Sequence, residues 1–193
     1  MQIDSQRRQV LSSAEVVLKR IEKASEKEFL PIVGPRKGSI LAEEVRKAKP
    51  KHVLEVGTLI GYSAVLMGKE LDADAEIVSV EIHRSEAEEA SKNILKAKVP
   101  PKITVIAGDA IEVIPTLRGL FDFVFIDAEK TEYYGYLKLV ESKLHKGSVV
   151  VADNAGIFAN QMLDYLDYVR NCGSFQSRFV QVGDDGLEIS VKL

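Results

Sequence analysis

The chain has 193 residues, of which 46% are hydrophobic, and a formal net charge of -3 at pH 7. This length and apolar content suit one domain with a sizeable core, and the charge gives no general attraction to nucleic acid or anionic membranes. The single cysteine, Cys172, excludes an internal disulfide and a cysteine-based zinc site. No apolar run is long enough for a membrane span, and no hydrophobic signal core begins the chain. We therefore expect one cytoplasmic domain over residues 1–193.

Residues 1–49 are predicted to form two helices and a loop. Apolar residues recur at helical spacing over residues 4–28, which predicts a first helix. This helix could form a dimer contact or a lid over a cleft, but we favour simple packing on the core. Proline and glycine interrupt residues 30–38, which predicts a loop. A second helix is expected from Ser39 to about Ala48, with Pro50 ending it.

Strands and helices alternate in the remaining segment, residues 50–193. The predicted strands are His52–Val56, Glu76–Glu81, Ile103–Ile106, Phe121–Ile126, Ser148–Ala152, Phe175–Val182 and Leu187–Leu193. One predicted helix follows the first strand and ends near Leu71. The other predicted helices are Arg84–Lys98, Ala110–Leu117, Tyr133–Leu144 and Asn160–Arg170. Alternation followed by a terminal hairpin predicts an α/β fold with a seven-stranded, mostly parallel sheet. We expect an antiparallel C-terminal edge strand and helices on both faces.

A glycine turn follows the first predicted strand, within Lys51–Gly68. In open α/β sheets, ligands bind where the chain leaves the carboxyl end of such a strand. The glycine spacing does not match the G-x-G-x-x-G fingerprint of dinucleotide-binding folds or a Walker A loop. The stretch also lacks a complete G-x-S-x-G nucleophile elbow. What remains is Glu55-x-Gly57-x-x-x-Gly61, which resembles the first motif of class I S-adenosylmethionine-dependent methyltransferases. The alternative is a structural turn between a strand and its packing helix.

Acidic residues follow the next two predicted strands. Glu81 ends the second strand, where an acid can accept hydrogen bonds from ribose hydroxyls or cap the following helix. Asp109 follows the third strand. Its carboxylate could receive an adenine amino group or cap the helix that starts at Ala110.

A second set of polar residues follows the fourth and fifth predicted strands. Asp127 ends the fourth strand and Lys130 comes three residues later, whereas Asp153 and Asn154 end the fifth. Because the carboxyl ends of parallel strands share one rim of a sheet, the two carboxylates and the amide can converge. Such oxygen ligands suit Mg²⁺, Mn²⁺ or Ca²⁺ and do not favour zinc. Each signal alone is typical of a cap or turn, but together they predict a divalent-metal site.

The combined motifs resemble the cation-dependent O-methyltransferases, the family of catechol and caffeoyl-CoA O-methyltransferases. The matching stretches, in family order, are PIVGPRKG, VLEVGTLIGYSA, Glu81, VFIDAEKTEYYGYL, VVVADN and GDDGLEISV. The resemblance implies a Rossmann-like fold, a metal held by Asp127, Asp153 and Asn154, and Lys130 as the general base. It implies cofactor contacts at Val33, Glu55, Gly57, Ser63, Glu81, Asp109, Ala110 and Asp127, and acceptor contacts at Lys37, Lys130 and Asn154.

The resemblance also implies a reaction: methyl transfer from S-adenosylmethionine to a small aromatic that carries adjacent hydroxyls. A phenol has a pKa of about 10 and is a poor nucleophile at neutral pH. A divalent cation bound to the adjacent hydroxyls would lower that pKa and orient one hydroxyl oxygen. Because a nearby cation disfavours a protonated amine, Lys130 could accept the phenolic proton.

The chain departs from the family pattern at two places, and the second leaves the identity of the methyl acceptor undetermined. The family often reads Asp-Ala-Asp-Lys where this chain has Glu129 before Lys130. In animal catechol enzymes an acidic residue contacts the second hydroxyl, and no acid here aligns securely, since Asp184, Asp185 and Glu188 lie in or beyond the terminal hairpin turn.

Other functions are compatible with the same motifs. A tRNA hydroxyuridine O-methyltransferase would be favoured by a local basic patch of Arg36, Lys37 and Arg7 with Arg8. A non-catalytic protein that binds an adenosyl ligand would need neither a metal nor a base. The resemblance also implies a homodimer, with the first helix as the candidate contact.

Overall fold

The structure, a computed structural model, describes residues 11–193. Its centre is a seven-stranded sheet in the order β3-β2-β1-β4-β5-β7-β6. Strand β7 runs antiparallel to both of its neighbours, β5 and the edge strand β6, and the other pairs are parallel. The predicted mostly parallel sheet with antiparallel pairing at the C-terminus is therefore confirmed, although the edge position belongs to β6 and not to the last strand, β7.

The strands agree with the predicted set, with small shifts at their ends. They are β1 (His52–Val56), β2 (Glu76–Glu81), β3 (Lys102–Ala107), β4 (Phe121–Ile126), β5 (Leu144–Ala152), β6 (Phe175–Val182) and β7 (Asp185–Lys192). The main difference is β5, which was predicted from Ser148 but begins at Leu144, where it pairs with Phe121 across an irregular register. Gly147 adopts a φ of 92° inside this irregular stretch, which explains why the sequence pattern suggested a later start.

Seven α-helices flank the sheet within residues 11–193. They are α1 (Ser13–Ser25), α2 (Gly34–Ala48), α3 (Tyr62–Gly68), α4 (Arg84–Ala97), α5 (Ala110–Thr116), α6 (Tyr133–Glu141) and α7 (Leu163–Asn171). Single 3₁₀ turns over Lys130–Glu132 and Ala159–Gln161 precede α6 and α7. The predicted α6 is therefore three residues too long, and the predicted start of α7 is a 3₁₀ turn.

The start of the first helix differs from its prediction over residues 4–28, of which residues 4–10 lie outside the described part. Ser12 caps α1 with a capping box: its hydroxyl accepts from the Glu15 amide at 3.2 Å, and the Glu15 carboxylate accepts from the Ser12 amide at 2.8 Å. This reciprocal cap satisfies two free backbone donors, so the helix begins after Ser12.

One face of α1 packs on the core, as favoured from the sequence. Its buried residues are Ala14, Val17, Leu18 and Ile21. The helix contacts α3 and α4, and the Tyr62 hydroxyl of α3 donates to Glu22 at 2.6 Å. The apolar face of α1 is thus covered by its own chain.

The start of α2 corrects the prediction of a loop over residues 30–38. The helix begins at Gly34, with Pro35 in its first turn. Proline suits that position because its fixed φ is helical and its missing N–H would be unpaired there anyway. The loop prediction therefore holds for residues 30–33 and is wrong for residues 34–38, which start the helix.

Strand β4 is the middle strand, as its apolar sequence predicted. Its residues alternate between two core layers, one on each face of the sheet. Phe123 and Phe125 pack on the α1–α2 side, whereas Val124 and Ile126 pack on the α5–α7 side. All four are 0% exposed, which follows from period-2 side-chain direction in a strand covered on both faces.

A buried ion pair ties α7 to β7. Glu188 is 0% exposed. Arg170 donates to its two carboxylate oxygens at 2.9 and 2.6 Å, and the Ser177 hydroxyl donates at 2.7 Å. Removing the cationic partner of a buried carboxylate lowers the stability of the fold, because the carboxylate remains desolvated without a compensating charge.

The substitution Arg170→Met is therefore expected to lower the free energy of unfolding by about 2–3 kcal/mol, near the lower end for a broken buried pair because water reaches the half-exposed Arg170. Urea denaturation at pH 7 measures the change. The matched control is Arg84→Met, since Arg84 and its partner Glu88 are both exposed and such pairs contribute little. Equal effects of the two substitutions would contradict the assigned role of Glu188.

No helix within residues 11–193 has the length and apolar character needed to cross a membrane.

Candidate functional site

The carboxyl ends of four neighbouring strands carry the predicted site residues. The register of β2, β1, β4 and β5 aligns Glu81, Gly57, Asp127 and Asp153 in that order across the sheet. Backbone amides of Gly57, Asp127 and Asp153 each donate at 2.9 Å to the neighbouring strand just before its end. The rim predicted from the sequence is therefore present, with these residues side by side.

The turn after β1 requires glycine at position 57. Gly57 has a φ of 88°, and a Cβ built there would lie 2.1 Å from the carbonyl oxygen of Asp127. Both the left-handed backbone and the close approach exclude a side chain. The turn can therefore lie directly against the end of β4.

A cavity of about 800 Å³ opens on this rim. Its polar wall includes Glu81, Asp109, Asp127, Lys130, Asp153, Asn154 and Asp185. Its apolar wall includes Phe29, Pro31, Ile32, Ile157 and Phe158. Phe29 is 93% exposed although it borders the cavity. The volume lies in the range of small-molecule sites. The combination of residues in the apolar wall was not predicted, because it joins two segments, 29–32 and 157–158, that are far apart in the sequence.

Glu81 and Asp109, two of the acidic residues predicted to contact the cofactor, line the cavity and also accept hydrogen bonds from backbone amides. Glu81 accepts from the amides of Leu59 at 2.8 Å and His83 at 3.0 Å. Asp109 caps α5 by accepting from Ile111 at 2.8 Å. The capping alternative is thus present for Asp109, whereas Glu81 does not cap α4 and instead binds the turn after β1 and the amide of His83. Gly57 and Ala110 also line the cavity.

Three other predicted cofactor residues, Val33, Glu55 and Ser63, are buried beside the cavity and are not part of its wall. Glu55 is 0% exposed and accepts from the Ser79 hydroxyl. Burial raises the pKa of Glu55 above its usual range, and the hydroxyls of Ser63 and Ser79 oppose this shift.

Two buried oxygens next to the glycine turn have no hydrogen-bond partner among residues 11–193. They are Glu55 Oε1 and Thr58 Oγ1. Buried polar atoms are nearly always hydrogen-bonded in folded proteins. Both residues are buried and neither is part of the cavity wall, so these oxygens lie behind the turn that lines the cavity.

The predicted metal ligands lie in a network of charges. Asp153 is 1% exposed, and Lys37 Nζ contacts its two carboxylate oxygens at 2.6 and 2.8 Å. The same ammonium donates to Asp185 at 2.7 Å. Asn154, with a left-handed φ of 60°, donates from its amide to Asp185 at 2.8 Å. Lys37 is thus connected to the predicted metal ligands by its ion pairs with Asp153 and Asp185.

The charges of this network fit a divalent cation. Burial and the charge of nearby Asp127 raise the pKa of Asp153 to about 7, although Lys37 opposes the shift. Burial would also raise the pKa of Asp185, but hydrogen bonds from Lys37 and from the amides of Ile157 and Gly186 lower it to about 2. Two carboxylates that repel each other and a neighbouring amide oxygen are a donor set that a hard cation suits. Asp127, Asp153 and Asn154 could therefore hold such a metal.

Asp185 was missed by the sequence analysis, which left the acids of the hairpin turn unassigned. Strand β7 pairs antiparallel with β5, with Ala152 opposite Glu188. This register carries the start of β7 past the end of β5, where Asp185 accepts from the amides of Gly156 at 3.2 Å and Ile157 at 3.1 Å. The signal in the sequence was the Asp-Asp-Gly turn, but its position depends on a long-range pairing.

Lys130 extends into the cavity from the 3₁₀ turn before α6. Its Nζ contacts Asp127 Oδ1 at 3.1 Å, the carbonyl oxygen of Ala128 at 2.9 Å and the Tyr133 hydroxyl at 3.1 Å. The amine therefore lies beside one predicted metal ligand, where it could move a proton.

Comparisons with known proteins agree with this geometry. A family model described as O-methyltransferase matches residues 9–170. The catechol O-methyltransferase of Sus scrofa is 33% identical over 172 residues, which cover 82% of this chain and 91% of that protein. The caffeoyl-CoA O-methyltransferase of Stellaria longipes is 30% identical over 165 residues, covering 80% of this chain and 68% of that protein.

Solved structures give the same result for the fold. The O-methyltransferase TomG of Streptomyces achromogenes, involved in tomaymycin synthesis and crystallised in complex with SAM, matches with a TM-score of 0.81. It is 25% identical, and the match covers 91% of this chain and 89% of that one.

Proposed function

Because the chain belongs to the O-methyltransferase family, we propose that it transfers a methyl group from S-adenosylmethionine to one hydroxyl of a small aromatic with adjacent hydroxyls, assisted by a divalent cation. The observation that carries this proposal is the arrangement of one cavity. Asp127, Asp153, Asn154 and Lys130 all line it, next to an apolar wall.

The cofactor side of the proposal is supported by the residues around the glycine turn. Gly57 lets the turn lie against the end of β4 and lines the cavity, as do Glu81 and Asp109. S-adenosylmethionine supplies the methyl group on a sulfonium, whose positive charge suits these carboxylates.

The metal side rests on Asp127, Asp153 and Asn154. A divalent cation held by these side chains would favour the ionised form of an adjacent hydroxyl group. Asp185 and Lys37 hold Asp153 and Asn154 in place through hydrogen bonds, a role that neighbours of metal ligands commonly have. Lys37 was also predicted to contact the methyl acceptor. To do so, its ammonium would have to leave Asp153 and Asp185 and bind an oxygen of the acceptor.

Lys130 is proposed as the general base. Its amine would take the proton of the acceptor hydroxyl, since it lies in the cavity within 3.1 Å of Asp127. The apolar side chains of Phe29, Ile157 and Phe158 would pack on the aromatic ring and exclude water. Holding the acceptor oxygen close to the methyl donor would supply much of the acceleration.

The tRNA alternative has less support. The basic patch that it needs includes Lys37, whose ammonium is bound to Asp153 and Asp185, while Arg7 and Arg8 lie outside the described residues. A homodimer stays a prediction. The first helix stays the candidate contact, since Val16 on α1 is exposed.

Methyl transfer from labelled S-adenosylmethionine tests the proposal. The acceptors are a panel of vicinal dihydroxy aromatics, the matched monohydroxy compounds and unmodified bulk tRNA, each with Mg²⁺ or with EDTA. We expect transfer to the dihydroxy compounds that EDTA abolishes. Transfer only to tRNA would replace the acceptor class, and equal transfer with EDTA would remove the metal. Cofactor binding without transfer to any acceptor would favour a binding protein.

A further inference from the structure

The hydroxyl of Tyr133 contacts the proposed base. Tyr133 is the first residue of α6 and is 0% exposed. Its hydroxyl accepts from Lys130 Nζ at 3.1 Å. The other two partners of this amine are Asp127 Oδ1 and the carbonyl oxygen of Ala128. The neutral amine that takes a proton has two N–H donors and one lone pair, so it can donate to only two of these three oxygens while its lone pair points to the hydroxyl that loses the proton.

We propose that Tyr133 is a positioning residue, whose hydroxyl accepts from the Lys130 amine and directs it toward the methyl acceptor. This inference rests on the proposed function, because it assumes that Lys130 is the base. The contact with Asp127 is not a reliable anchor for the amine, since the same carboxylate is a proposed metal ligand. The Tyr133 hydroxyl has no such second task.

The tyrosine is suited to this role because its ring is rigidly held. It packs edge-on against Tyr165, with ring centroids 5.9 Å apart and an interplanar angle of 89°. The lysine, in contrast, has a long flexible side chain with large rotamer entropy. A fixed acceptor therefore decreases the number of positions that the amine can occupy.

The surroundings of Tyr133 also exclude it as the base itself. Burial and the charges of Asp127 and Asp153 raise the pKa of Tyr133 well above its ordinary value of 10. Its hydroxyl therefore keeps its proton at neutral pH and acts only as a hydrogen-bond partner. Tyr133→Phe removes this hydroxyl and leaves the packed ring.

A double-mutant cycle tests the proposal with four proteins: wild type, Tyr133→Phe, Lys130→Ala and the double variant. We expect Tyr133→Phe to lower kcat by about 10-fold, the size expected for one hydrogen bond to a charged group. The KM values for both substrates and the Mn²⁺ affinity should change less than twofold. In the Lys130→Ala background the same substitution should have no further effect, because its partner is absent.

The control variant is Tyr165→Phe. Tyr165 is buried in the same aromatic cluster, and its hydroxyl has no hydrogen-bond partner among residues 11–193. Its kcat should equal that of wild type. A Tyr133→Phe protein with unchanged kcat, or an equal loss in both backgrounds, would overturn the positioning role. If Lys130→Ala itself kept full activity, the assignment of the base would fail first, and the inference with it.

Discussion

The substitution Lys130→Ala is expected to lower kcat by about 100-fold or more, in the usual range for loss of a general base. The amine contacts Asp127 and lines the cavity beside the proposed metal ligands. Its loss leaves no amine at that position to take the acceptor proton. Initial rates of methyl transfer under saturating substrates measure the change.

Binding of the cofactor should change little in the same variant. Calorimetric titration with S-adenosylmethionine measures it, since Glu81, Gly57 and Asp109 remain in place. The control is Lys138→Ala: Lys138 lies on α6, pairs with Glu141 and is 43% exposed. Its rate should equal that of wild type. A Lys130→Ala protein with an unaffected rate would exclude Lys130 from the mechanism.

The substitution Asp153→Ala is expected to weaken divalent-metal binding by about 100-fold or more, because even residues outside the ligand set can change affinity by 10–100-fold. Asp153 is almost fully buried and aligned with Asp127 across β4 and β5. Its removal takes away both a ligand oxygen and a charge that attracts the cation. Electron paramagnetic resonance of free and bound Mn²⁺ gives the affinity without any activity assay.

The control for this experiment is Asp184→Ala. Asp184 lies in the exposed hairpin turn next to Asp185, so it matches the change in net charge and does not line the cavity. Its Mn²⁺ affinity should equal that of wild type. If Asp153→Ala folded normally and bound Mn²⁺ as tightly as wild type, the three-residue metal site would be wrong.

The position of the rim was accessible from the sequence because its signals are local. Short apolar runs identified β1, β4 and β5, and the polar residue after each run identified its carboxyl end. In a parallel sheet these ends must lie on one edge. The alignment of Gly57, Asp127 and Asp153 needed no further information.

Local signals were ambiguous where proline and glycine occur together. The segment before Gly38 resembled a loop, yet Pro35 lies in the first turn of α2. A proline excludes the interior of a helix but favours its first turn. The sequence pattern alone cannot distinguish these two situations.

By itself, the sequence determined the order of strands and helices, the central place of β4 and the rim that carries Asp127, Asp153 and Asn154. Only the tertiary structure decided which other groups join that rim. Asp185 reaches it because β7 inserts between β5 and β6, and Lys37 reaches it because α2 begins at Gly34 and carries the ammonium to Asp153. The physical reason is the distance along the chain over which each kind of interaction acts. Periodicity and turn residues act over a few neighbours. In contrast, the contact between Asn154 and Asp185 joins residues 31 positions apart and that between Lys37 and Asp153 joins residues 116 positions apart, and both form only on folding.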